Sequence, residues 1–123
     1  MNTKQIADRL VTLCREGKYE EAQRELYADD AVSIEMPAMS DGAIGNVSGL
    51  AAIMKKGQDW MANVQEMHQA SVGEPIVAGD WFALTMGIDA TYRDRGRMAM
   101  EEICLYRVRN GRIASEQFFY DTP

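Results

Sequence analysis

The stretch Trp81-Phe82-Ala83-Leu84-Thr85-Met86-Gly87-Ile88-Asp89-Ala90-Thr91-Tyr92 alternates with period two. Phe82, Leu84, Met86, Ile88, Ala90 and Tyr92 fall on one face, and Trp81, Ala83, Thr85, Gly87, Asp89 and Thr91 on the other, so the even-numbered face is the more apolar. Alternation of this kind marks a strand with one side against a core. Working outward, Ala78-Gly79-Asp80 precedes the stretch, Arg93-Asp94-Arg95-Gly96-Arg97 follows it, and Asn110-Gly111 comes next. These turn signals cut the chain from about Glu66 onward into four strands, which predicts an antiparallel meander. In the strand after the quoted one the even set is Met98, Met100, Glu102, Cys104, Tyr106 and Val108, so one carboxylate interrupts an apolar row.

The front of the chain has helical rather than strand periodicity. Asn2 or Thr3 can cap a first helix in which Ile6, Leu10 and Leu13 recur at helical spacing, and Gly17 closes it. Lys18 to Tyr27 reads as a second helix with Tyr19, Ala22 and Leu26 on one side. After Asp29-Asp30 comes an extended segment, Ala31 to Met36, stopped by Pro37 and a loop rich in Gly, Ser and Asp. Ser48 is placed to cap a third helix whose Leu50, Ile53, Met54, Gly57, Trp60, Met61 and Val64 step by three and four. Helices first and strands after make the fold class α+β rather than alternating βαβ units.

Composition bounds what such a fold can do. The 123 residues are 46% hydrophobic and 26% charged, enough for one domain, 1–123, and no more. A net charge of -6 opposes binding to nucleic acid or to an anionic membrane. No run approaches the roughly 20 apolar residues of a membrane span, and the amphipathic start MNTKQIADRL lacks the apolar core of a signal peptide, so a soluble cytoplasmic protein is expected. Cys14 and Cys104 stand far apart with no CxxC spacing, which suggests neither a zinc site nor a disulfide framework, and no cofactor is expected.

Several of these segments together resemble a known family: the Ala28-Asp29-Asp30-Ala31 step into a strand, Pro37, the opening Ser48-Gly49-Leu50-Ala51-Ala52-Ile53 of the third helix, and long hairpins ending in Asn110-Gly111-Arg112-Ile113. The chain resembles the nuclear transport factor 2-like superfamily in its SnoaL-like and ketosteroid-isomerase-like branch. The resemblance implies a cone, formed by a curved sheet (the meander plus a short N-terminal strand) wrapped over three helices, with a ligand cavity at its open end and frequent dimerisation through the outer sheet face. In the isomerases a base precedes the proline of the first strand. A gapless count from Ala28-Asp29-Asp30-Ala31 puts Glu35 there, whereas a count back from Pro37 selects Met36. The family's oxyanion tyrosine falls near Leu10 and its aspartic acid near Cys104 or Leu105, so the steroid-isomerase set is incomplete here.

The candidate site follows from the apolar row. A carboxylate on an apolar face is costly unless it is paired, hydrogen-bonded or facing a wet cavity, so Glu102 is expected to line the pocket with a raised pKa, ready to move protons. The plainer reading is a structural contact with a nearby tyrosine or arginine. Glu116 depends on register. A three-residue turn with a glycine bulge at Arg109-Asn110-Gly111 puts Glu116, Phe118 and Tyr120 on the face of Glu102, whereas a two-residue type I′ turn puts Ser115, Gln117, Phe119 and Asp121 there.

Glu102 and Glu116 are then the catalytic candidates, with Glu35 as a further carboxylate near the mouth and Trp60, His68, Tyr106, Phe118 and Tyr120 as ligand contacts. His68 reads either as a proton shuttle on the face of Ala70, Val72 and Ile76 or as a packing residue. No ligand spacing supports a metal. Arg93, Arg95, Arg97, Arg107, Arg109 and Arg112 read as solvated turn charges. Ile103, Leu105 and Phe119 on the opposite face suggest a homodimer. The function expected is binding of a small hydrophobic molecule with cofactor-free acid/base chemistry; the alternative is a non-catalytic binding or dimeric interaction module.

Overall fold

The computed structural model describes residues 1–36 and 46–121. Among these residues three helices, α1 (Thr3–Arg15), α2 (Tyr19–Leu26) and α3 (Leu50–Asn63), accompany seven strands: β1 (Tyr27–Ile34), β2 (Val47–Ser48), β3 (Val64–Val72), β4 (Ile76–Ala78), β5 (Trp81–Tyr92), β6 (Gly96–Arg109) and β7 (Arg112–Phe119). They form one sheet in the order β2-β1-β7-β6-β5-β3, with β4 also paired to β5. The α+β class and the meander of the back half are present. Pro37 and most of its loop lie outside the described residues. Among the described residues no helix is long and apolar enough to cross a membrane.

Three local readings are corrected. Tyr27 does not close α2. Its backbone is already extended (φ -88°, ψ 146°) and it pairs with Ile113, so β1 begins four residues before Ala31 and runs parallel to β7. Ser48 does not cap α3, because it lies in β2, and Gly49 at φ +94° makes the turn into the helix with no side-chain cap. The first meander strand is broken at Gly73-Glu74-Pro75 into β3 and β4. Asn2, by contrast, does cap α1, in a reciprocal box with Gln5.

The even face of β5 and β6 is the inner one. Ile6, Leu10 and Leu13 of α1, Leu26 of α2 and Ile53 of α3 pack with Phe82, Leu84, Cys104, Tyr106, Val108 and Ile113 in one core. Full burial of each large apolar side chain contributes on the order of 1.5–3 kcal/mol. Phe82 and Tyr106 are directly opposed across β5 and β6, their rings stacked with centroids 4.7 Å apart. Further along the same face the helices no longer cover the sheet fully, and Met86, Ile88, Met100, Glu102, Phe118 and Tyr120 are only partly buried. That half-covered end is where polar chemistry can meet a ligand.

The last hairpin reaches its inner face by a route the sequence reading did not anticipate. Asn110 (φ 53°) and Gly111 (φ 74°) form the two-residue turn, with Arg109 opposite Arg112. Left alone, that turn would bring Ser115 and Gln117 inward. The ladder is interrupted instead at Ala114, since Val108 pairs with Ile113 but Arg107 pairs with Ser115. One extra residue in β7 restores the parity, so that Tyr106 faces Glu116 and Cys104 faces Phe118.

Candidate functional site

Four elements deliver polar side chains to the half-covered end. β1 supplies Tyr27 and Ser33, with Glu35 directly after it; α3 supplies Lys56; β6 supplies Glu102 and Cys104; β7 supplies Glu116, with Tyr120 directly after it. The parallel pairing of β1 with β7 puts Ser33 beside Glu116.

Glu116 lies deepest, with 5% of its surface exposed. The Tyr27 hydroxyl donates to one of its oxygens and Ser33 Oγ donates to the other at 2.6 Å. Burial pushes its pKa up, opposed by those two donors. Ser33 Oγ in turn accepts from Lys56 Nζ at 2.9 Å, and the same ammonium stands 2.6 Å from Glu35 Oε1. Glu35 Oε2 accepts from the Tyr120 hydroxyl at 2.8 Å. A continuous chain of contacts therefore links Tyr120, Glu35, Lys56, Ser33, Glu116 and Tyr27. Burial holds the phenols of Tyr27, Tyr106 and Tyr120 above the usual tyrosine range, so they remain donors.

Glu102 differs from the other two carboxyls because, among the described residues, neither a cation nor a hydroxyl is paired with it. Its one hydrogen-bond partner among the described residues is the Cys104 thiol, which donates to Oε1 at 3.6 Å. Burial pushes the Glu102 pKa up to about 7; the Cys104 thiol opposes this, Glu35 and Glu116 add to it, and Lys56 offsets part of it. Glu102 also acts on the phenols of Tyr92 and Tyr120. Desolvation raises the Cys104 thiol as well, and pushes Cys14 up to about 12, so both stay protonated.

The structure thus brings Glu102, Glu116 and Glu35 together, with Phe118 and Tyr120 beside them. Trp60 stands edge-on to Tyr92, the ring centroids 6.1 Å apart. Tyr106 is core floor, only 2% exposed beneath Phe82. His68 is elsewhere. β3 pairs Met67 with Ala90 and Gln69 with Asp89, leaving His68 as an extra residue whose Nε2 meets Thr91 Oγ1 at 2.7 Å on the outer face. The simple alternation with Ala70 and Val72 fails at that irregularity.

Among the described residues no group of His, Cys, Asp and Glu has the arrangement to hold a metal ion. Arg97 pairs with Asp89 at 3.0 Å and Arg95 lies over the Tyr92 ring, in keeping with turn charges. A hollow of about 540 Å³ does exist over Gln69, Ser71, Gly87, Asp89 and Glu101, but it lies on the outer face, away from the carboxyl chain. The buried polar groups are on the inner face.

Sequence reasoning missed Tyr27, Ser33 and Lys56. A signal existed for two of them. Lys56 sits at helical spacing between Ile53 and Trp60, on the apolar stripe, and Ser33 alternates with the buried Ala31 and Glu35. Tyr27 was hidden by its assignment to the preceding helix.

A carboxyl whose folded pKa lies above its unfolded value of about 4.5 costs nothing below that pH. It costs most above the folded value, here about 3 kcal/mol by pH 8. Glu102→Gln is therefore expected to melt several degrees above the wild type at pH 8, with the gap narrowing towards pH 5. Thermal melts across that range check the sign and the window.

Residues 1–120 match the family model of the SnoaL-like domain. A protein from Mesorhizobium loti, provisionally described as a SnoaL-like polyketide cyclase, is 36% identical, with 98% of this chain and 100% of that one covered and a TM-score of 0.90. A nuclear transport factor 2-like protein of unknown function from Burkholderia pseudomallei is 16% identical over 98% and 92% of the two chains, with a TM-score of 0.79. TerC, co-crystallised with polyporic acid, is 15% identical over 98% and 92%, with a TM-score of 0.77. The last two likenesses are of fold alone. No curated protein matches the chain. The family match spans nearly the whole sequence and agrees with the parallel β1–β7 pairing and the helices over one sheet face: the chain belongs to the SnoaL-like domain family and has the nuclear transport factor 2-like, ketosteroid-isomerase-like fold.

Proposed function

We propose that the protein binds a small hydrophobic metabolite against the half-covered inner face and performs cofactor-free acid/base chemistry on it, of the isomerase, cyclase, dehydratase or hydrolase type. The observation that carries this reading is Glu102, a partly buried carboxyl on an apolar row, with a thiol as its hydrogen-bond partner and a pKa raised to about 7. In its neutral form it donates a proton to a ligand oxygen. In its ionised form it removes one from an activated C–H or O–H. A positioned group of this kind contributes about 10²–10⁴-fold to a rate. Glu116 and Glu35 are its carboxyl neighbours, held in place by Tyr27, Ser33, Lys56 and Tyr120. The provisional description of the Mesorhizobium loti relative supports a cyclase-like reaction on a polyketide.

A thermal-shift panel of steroids, aromatic polyketides, lactones, short acyl compounds and polyporic acid tests the reading on wild type beside Glu102→Gln. At least one class should raise the wild-type melting temperature, with a different shift in the variant and an affinity that bends between about pH 5 and 8. Turnover found for that class should fall about 10²–10⁴-fold in the variant. Identical ligand shifts in the two proteins would overturn the assignment of Glu102.

The outer face favours a second role for the sheet. Ile103 and Phe119 are directly opposed across β6 and β7 yet 52% and 40% exposed, and Trp81 is 42% exposed on the same side. We propose that a second copy of the chain covers this face, as an apolar pair in open water is better buried in a symmetric interface. Sedimentation should find a dimer that Ile103→Asp weakens. A wild-type monomer at high micromolar concentration would contradict it.

A further inference from the structure

We propose that Lys56 is the group that anchors the ligand, by donating to one of its oxygens, and that the site accordingly takes compounds presenting an ionisable or strongly polarised oxygen, such as an enol or a phenol, on an apolar ring. The proposal builds on the acid/base reading of Glu102 and adds the polar anchor that reading lacks.

An ammonium carries three N–H bonds. The Lys56 ammonium forms an ion pair with Glu35 Oε1 at 2.6 Å and donates one N–H to Ser33 Oγ at 2.9 Å. Among the described residues it has no other hydrogen-bond acceptor, so donor capacity is left over. The Lys56 side chain keeps 13% exposure against 5% for Glu35, so the lysine is not sealed from solvent. The ammonium lies 5.4 Å from the centroid of the Phe118 ring, so an apolar surface adjoins the open donor. A flat ligand resting on that surface would bring its oxygen to a remaining N–H.

Every element packed around Lys56 adds a group to its surroundings. β1 contributes Glu35 and Ser33, β6 contributes Glu102, and β7 and the residue after it contribute Glu116, Phe118 and Tyr120. Three carboxyls around one ammonium would repel an anionic oxygen if all were ionised. Burial drives Glu102 and Glu116 towards their neutral forms, which leaves the Glu35–Lys56 pair close to balanced. A neutral Glu102 can then give a second hydrogen bond to the same oxygen, so that an acid and an ammonium hold it together, while an ionised Glu102 would push an anionic oxygen away. Anion binding should accordingly weaken as pH rises through about 7.

The test uses 4-nitrophenol, whose absorbance reports its own ionisation. Lys56→Met alone leaves Glu35 buried without a cation and is expected to be poorly stable, so the informative protein is the charge-balanced E35Q/K56M. At pH 6.5 the wild type should bind the phenolate in preference to the phenol and lower the apparent pKa of the probe. The paired variant should bind about tenfold more weakly or worse and lose that shift. Lys56→Arg should keep part of it. Equal phenolate affinity in E35Q/K56M and wild type overturns the proposal, as does a wild type that takes up only the neutral phenol or neither form. Failure of the underlying reading looks different: there Glu102→Gln leaves binding and its pH dependence unchanged, whereas failure of the Lys56 proposal alone leaves the Glu102→Gln effect in place.

Discussion

The ammonium of Lys56 holds Glu35 at 2.6 Å and, through Ser33, reaches Glu116, and the half-covered end of the molecule depends on that contact. Among the described residues, three carboxyls share this end of the sheet with a single cation. A buried carboxylate without a partner is among the costliest groups a fold can carry. Two of the three are resolved locally: Glu35 by the ammonium and the Tyr120 hydroxyl, Glu116 by the hydroxyls of Tyr27 and Ser33. Glu102 has no such relief. The cost it carries as an ion is what makes it a proton-exchanging group near neutral pH.

Topology explains how these residues meet. β1 does not extend the antiparallel meander but enters parallel to β7, which sets Ser33 beside Glu116 although 83 positions separate them in the chain. α3 packs across β1 and β2 and lowers Lys56 into the same space. Burial is complete where α1 lies over Phe82 and Tyr106 and declines towards Met86, Met100 and Glu102. The fold therefore keeps its apolar core at one end and its buried polar groups at the other.

Much of this was legible in the chain because period-two alternation is a direct record of which side of a sheet is dry. Glu102 was identifiable for that reason alone. Glu116 was correctly placed, but by the wrong device. The turn at Asn110-Gly111 is the two-residue type, and the compensating irregularity lies at Ala114, where no glycine or proline advertises it. His68 shows the same weakness in reverse, since an unadvertised extra residue in β3 moved it to the outer face. Tyr27 escaped because its strand pairing is long-range and overrides the helical pattern that precedes it. Local pattern records burial, but bulges and parallel partners are decided by tertiary structure, which a single sequence does not display.

The claim at the centre of this account is that Glu102 exchanges its proton near neutral pH because it is desolvated and unpaired. Side-chain carboxyl carbon resonances of the glutamates, followed by NMR from pH 4 to 9 and assigned through Glu102→Gln, measure this directly. The account predicts a Glu102 midpoint near 7, well above the exposed glutamates. A midpoint near the ordinary value of about 4.5 would contradict it and return Glu102 to the status of a solvated surface group.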